Sequence, residues 1–188
     1  PLDVAAPAAA SNAVVISDLQ GKAVPIVLSN PAGGASSCAL QTAHYSAANS
    51  LAELPPPGAS AFPFGVVTLG VAQCQPGETV QLSFTMPSAI PAGARYWKYG
   101  PTPDNTTAHW YAFDGFSASG NTVTLMLTDG AVGDDDLLAD GKISDPGGIV
   151  LATTGSASAK PVPVWSWQAW LAAMLALGGG LLLRRRQR

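Results

Sequence analysis

Residues 79–86 read TVQLSFTM and residues 121–128 read NTVTLMLT. In the first, Val80, Leu82, Phe84 and Met86 share one side, and Thr79, Gln81, Ser83 and Thr85 the other. In the second, Val123, Leu125 and Leu127 alternate with Thr122, Thr124 and Thr128. A repeat of two is that of a strand with one face in the core. Gln75-Pro76-Gly77-Glu78 and Ser119-Gly120-Asn121 supply turns before these runs. Residues 66–71, 95–99 and 109–113 read as further strands, with 13–17 and 24–29 as weaker candidates. Before Val164 no segment carries a helical apolar stripe.

Composition points the same way. In 188 residues there are 20 Gly and 16 Pro, with 11% charged and 7% aromatic side chains. That balance speaks against bundles and coiled coils and suits short strands separated by turns. The expected fold is all-β: an antiparallel β-sandwich followed by a C-terminal single transmembrane helix.

The net charge of −3 hides a segregation, because Arg184, Arg185, Arg186 and Arg188 are four of the nine basic residues. An acidic body repels phosphate backbones, which disfavours nucleic-acid binding. Ahead of those arginines, residues 164–183 (VWSWQAWLAAMLALGGGLLL) contain no charge. Twenty residues of helix span about 30 Å, the thickness of a bilayer's hydrocarbon core. Trp165, Trp167 and Trp170 cluster at one end and the arginines form a cytoplasmic stop at the other, so the positive-inside rule places the body outside the inner membrane. The expected partner is therefore the membrane.

Cys38 and Cys74 are the only cysteines. In an extracytoplasmic body a disulfide is the natural reading, with a free thiol pair or a catalytic cysteine near His44 as alternatives.

Two family resemblances follow from these stretches. Val162-Pro163-Val164-Trp165-Ser166, the apolar run and the arginines resemble IPTL-CTERM sorting tails of Gram-negative bacteria, similar in plan to those thought to be read by exosortase-type transpeptidases. Val164 stands where that family has Thr, Trp165 where it has Leu, and Trp167 where it has an acidic residue. Residues 96–115 (YWKYGPTPDNTTAHWYAFDG), residues 119–148 and Phe62-Pro63-Phe64-Gly65 resemble the bacterial choice-of-anchor U domain, whose members end in differing surface-anchoring tails. The resemblance covers roughly residues 20–150 and implies no catalytic activity. The expected organisation is a linker or the end of a preceding region at 1–19, the sandwich at 20–152, a linker at 153–161 and the sorting tail at 162–188. The expected role is an exported structural or adhesive surface module. It sits in the inner membrane with its body periplasmic, or at the cell surface once the tail is processed.

Asp129, Asp134, Asp135, Asp136, Asp140 and Asp145 fall within 17 residues, interleaved with glycines. Ca²⁺ takes six to eight oxygens, and flexible acidic turns let carboxylates converge on it. Leu138 and Gly147 occupy positions where an EF-hand needs ligands, so the expectation is an irregular structural Ca²⁺ loop with Asp134, Asp136, Asp140 and Asp145 as ligands. The alternative is a set of polar turns whose aspartates cap backbone N–H groups. Tyr96, Trp97, Tyr99, His109, Trp110 and Tyr111 suit either core packing or a platform for a carbohydrate- or protein-binding module. Hydrolase chemistry would need two carboxylates facing across a groove, whereas these aspartates share one loop.

Overall fold

A computed structural model describes residues 12–55 and 61–151. The chain divides into Pro1–Thr153 and Thr154–Arg188. The expected linker at 153–161, the recognition segment Val162–Ser166, the span at 164–183 and the terminal arginines all lie outside the described residues. Among the described residues no helix is long and apolar enough to cross a membrane.

The described part is all-β, with ten strands and a single 3₁₀ turn at Ala48–Ser50. The strands are β1 (Ala13–Ser17), β2 (Ala23–Ser29), β3 (Ala39–Ser46), β4 (Val66–Ala72), β5 (Thr79–Thr85), β6 (Arg95–Thr102), β7 (Asn105–Phe113), β8 (Phe116–Ser119), β9 (Thr122–Thr128) and β10 (Ile143–Val150). One sheet runs β1-β2-β5-β9-β8 and the other β3-β4-β10-β6-β7, with every pair antiparallel. The two alternating stretches that suggested the fold are direct neighbours, paired from Thr79↔Thr128 to Thr85↔Thr122. On their outer side the Thr79 and Thr128 hydroxyls share a hydrogen bond of 2.8 Å.

The sheets face each other across one apolar core. Val24, Ile26, Leu28, Val80, Leu82, Phe84, Val123, Leu125 and Leu127 come from the first sheet, and Val67, Leu69, Val71, Tyr96, Phe113, Ile143 and Ile149 from the second. The second sheet is covered on its outer face too. There Ala48, Ala61 and Phe62, from the connection between β3 and β4, bury Val66, Trp110 and Val150.

Two boundaries are corrected. β1 bears out the strand expected at 13–17 and, although it lies inside residues 1–19, expected as a linker or the end of a preceding region, it pairs with β2 from Ala13↔Val27 to Ser17↔Ala23. The acidic stretch is not loop throughout, because β10 is the central strand of its sheet, between β4 and β6. Pro146, Gly147 and Gly148 hide it, since proline and glycine are depleted in strand interiors. The glycines answer to close neighbours. A Cβ on Gly147 would strike the Tyr96 ring, and one on Gly148 would lie 2.6 Å from the Gly65 carbonyl oxygen and 2.7 Å from Phe62.

Candidate functional site

The Lys98 side chain is fully buried, which is rare for a lysine unless it is paired. Its placement follows from period two: Tyr96 faces the core, so Lys98, two residues on in β6, faces it as well. Gly147 of β10 lies directly opposite Lys98, and the space a side chain would fill there is taken by the Tyr96 ring.

Lys98 Nζ lies 2.5 Å from Asp145 Oδ1, with both side chains 0% exposed. It also donates to the Gly133 carbonyl at 2.5 Å and sits 4.9 Å from the centre of the Phe113 ring. Gly133 adopts φ +105, and a Cβ there would meet Phe113 at 2.7 Å, so only glycine offers its carbonyl at this point without strain. A third acid is close by. Asp135 is tethered beside β10 by its N–H donating to the Ser144 carbonyl at 3.1 Å. Its Oδ1 occupies the space over Gly100, 2.5 Å from where a Cβ would stand, on the core-facing side of β6 that carries Lys98.

Apart from the Lys98 contact on Oδ1, neither oxygen of Asp145 has a hydrogen-bond partner, nor does Oδ1 of Asp135. Desolvating an ion costs several kcal/mol and is repaid only when its remaining lone pairs are satisfied. Burial accordingly pushes Lys98 down and Asp145 up, both toward their neutral forms, against their mutual attraction. Burial raises Asp135 to about 7; Lys98 opposes the shift, and Asp145, Asp134 and Asp136 add to it.

The four expected Ca²⁺ ligands are not brought together. Asp134 accepts from Gly130 N at 2.9 Å and Ser144 N at 3.1 Å. Asp136 caps Leu138 N at 2.8 Å. Asp140 caps Lys142 N at 3.0 Å and pairs with the Lys142 amine at 3.1 Å. Asp145 belongs to Lys98. Asp129 likewise accepts from Gly77 N at 2.9 Å and Gly141 N at 3.0 Å. The geometry is that of polar turns tied to backbone donors. Among the described residues, the one set of three metal-ligating side chains with ligand atoms together is Cys38, Cys74 and Glu78, within 4.8 Å. There the two sulfurs are bonded to each other, so the disulfide reading holds.

The aromatic motif is divided between the two faces of its sheet. Tyr96 is buried in the core, with Tyr111 packed against it, while Trp110 is buried in the outer cluster with Trp97 and Tyr99 against it. The Trp110 indole N–H donates to the Glu53 carbonyl at 2.8 Å. His109 rests 5.7 Å from Tyr111.

Sequence reading passed over Lys98 and took Asp135 only as one of the clustered aspartates. The signal for Lys98 was present, a lysine alternating with Tyr96 on a core face. Nothing local pointed Asp135 toward Lys98, because it arrives from the turn before β10. Compared with known proteins, the chain matches no family model, no curated protein and no solved structure.

Proposed function

We propose that this chain is a surface-directed module of an exported bacterial protein. It is a structural or adhesive module of the choice-of-anchor U type, carried by an IPTL-CTERM-like tail at residues 162–188. The tail holds it in the inner membrane or presents it to an exosortase-type transpeptidase. The observation that carries this reading is the Cys38–Cys74 bond, which engages both cysteines of the chain. Such bonds persist in oxidising compartments outside the cytoplasm. The uncharged run 164–183, with arginines after it, supports the same side of the membrane. A scaffold role rather than an enzymatic one is favoured because the unusual polar groups, Lys98 and Asp145, are sealed between the sheets instead of lining a cleft.

The test is the intact mass of the native protein recovered separately from inner membrane, outer membrane and medium. A form ending within residues 162–166 outside the inner membrane is expected. A full-length chain confined to the inner membrane would reduce the tail to a plain anchor. Recovery from the cytoplasm with reduced cysteines would refute export.

A further inference from the structure

The Lys98–Asp145 contact is not that of a relaxed ion pair. Nζ stands 2.5 Å from Oδ1, closer than the ~2.7–2.9 Å of an ordinary charge-assisted hydrogen bond, and Oδ2 has no partner. Since a carboxyl oxygen lies only about 1.2 Å from its carbon, the amine stands no more than about 3.7 Å from Cγ, close to the separation of a near-attack pair. The pair is fully buried, flanked by Phe113 and the Tyr96 ring, with no exposed route for either charge. Two adjacent strands hold the reacting groups, so the geometry is preorganised and the reaction is effectively unimolecular.

We infer that Lys98 and Asp145 join in an amide linking β6 to β10: Nζ attacks Cγ, a C–N bond forms, a Cγ–O bond breaks and one water leaves. The amine gives up one hydrogen and the acid its hydroxyl, so the atoms balance with no oxidant and no activating reagent. Burial favours the two neutral forms that this step requires. Asp135 is the catalytic acid and base. Protonated, it hands its proton to the departing hydroxyl and recovers one from the amine. Afterwards it donates to the new amide oxygen, while the amide N–H keeps the Gly133 carbonyl that Nζ holds at 2.5 Å. The product turns a desolvated amine and a desolvated acid into one neutral, hydrogen-bonded amide.

The bond closes residues 98–145 into a covalent ring containing β7, β8 and β9. In a chain pulled from its ends that ring cannot be extended, which suits a load-bearing module. The chemistry itself holds whether or not the proposed surface role does.

The test is mass spectrometry of the full chain, folded, then denatured and reduced. The expected mass is that of the sequence less one water, and digestion yields a branched peptide joining Lys98 to Asp145. Three Asp–Gly steps, at Asp114, Asp129 and Asp140, lose water by another route, so the branched peptide is decisive. Lys98→Met is expected to retain the water, and Asp145→Asn to lose ammonia instead. Asp135→Asn is expected to fold with Lys98 and Asp145 still separate, and Asp135→Glu to restore linkage. Folded wild-type protein yielding only linear peptides around Lys98 and Asp145 would overturn the inference. Full linkage in Asp135→Asn would overturn the role given to Asp135.

Discussion

Removing the disulfide provides the most quantitative test of how the sandwich is held. Cys38 lies just before β3 and Cys74 just after β4, strands already paired from Ala39↔Ala72 to Ser46↔Val66. The bond therefore locks the open end of a long-looped hairpin whose connection also covers the outer face of its sheet. With a sequence separation of 36, the chain-entropy relation gives about 4 kcal/mol at 25 °C. Replacing both cysteines by alanine also empties two sites only 1% and 7% exposed, adding on the order of 1 kcal/mol. The sum is a large fraction of the roughly 5–15 kcal/mol by which domains are stable. With a urea slope of about 2 kcal/mol per molar, the midpoint of Cys38→Ala/Cys74→Ala is expected to fall by about 2 M. Reducing the unmutated protein isolates the entropic share and is expected to give slightly less. A loss under about 1 kcal/mol in both experiments would refute the reasoning, because the unfolded chain would then already keep this loop closed.

Further outcomes follow from the same geometry. Gly147→Ala is expected to cost about 1–3 kcal/mol through overpacking against the Tyr96 ring, and much less in a Tyr96→Val background; equal penalties in both would sink the explanation. Trp110→Ala is expected to cost about 3–5 kcal/mol and to speed amide exchange around Glu53, whose carbonyl the indole holds. Asp135 is raised to about 7 by burial, so the folded protein binds this proton more tightly than the unfolded chain. Its stabilising effect is therefore present at low pH and is lost as pH rises toward about 7. Asp135→Asn is expected to flatten that slope in urea titrations from pH 4 to 8, and an unchanged slope would count against it. Because Asp134, Asp136 and Asp140 are committed to backbone donors and Asp145 to Lys98, added Ca²⁺ is expected to leave the melting temperature unchanged. A Ca²⁺-dependent rise, abolished in Asp136→Ala, would restore the ion.

What was legible in the sequence follows the locality of each feature. β5, β9 and β4 alternate cleanly enough to be read directly, because each inward residue is apolar, whereas β1 and β2 stood only as weaker candidates. β3 escaped notice because ALQTAHYS mixes polar groups and its register shifts between Leu40 and Thr42. β8 is four residues long and mostly exposed, with little apolar pattern to betray it. β10 was masked by Asp145, Pro146, Gly147 and Gly148, residues chosen by contacts with Lys98, Tyr96 and Phe62 rather than by strand propensity.

The all-β class, the two alternating core strands and the cysteine pair were legible without coordinates, since two-residue alternation and a lone pair of cysteines need no knowledge of distant neighbours. The sequence also shows the uncharged run with its arginines, a matter of length and charge alone. Only the tertiary structure decided that the aspartates part company. Four of them, Asp129, Asp134, Asp136 and Asp140, turn back to cap nearby backbone, while Asp135 and Asp145 gather at Lys98, 37 and 47 positions away in the chain. Which carboxylate meets an amine depends on the register of β10 against β6, and that register is set by packing across the whole core rather than by any local run of residues.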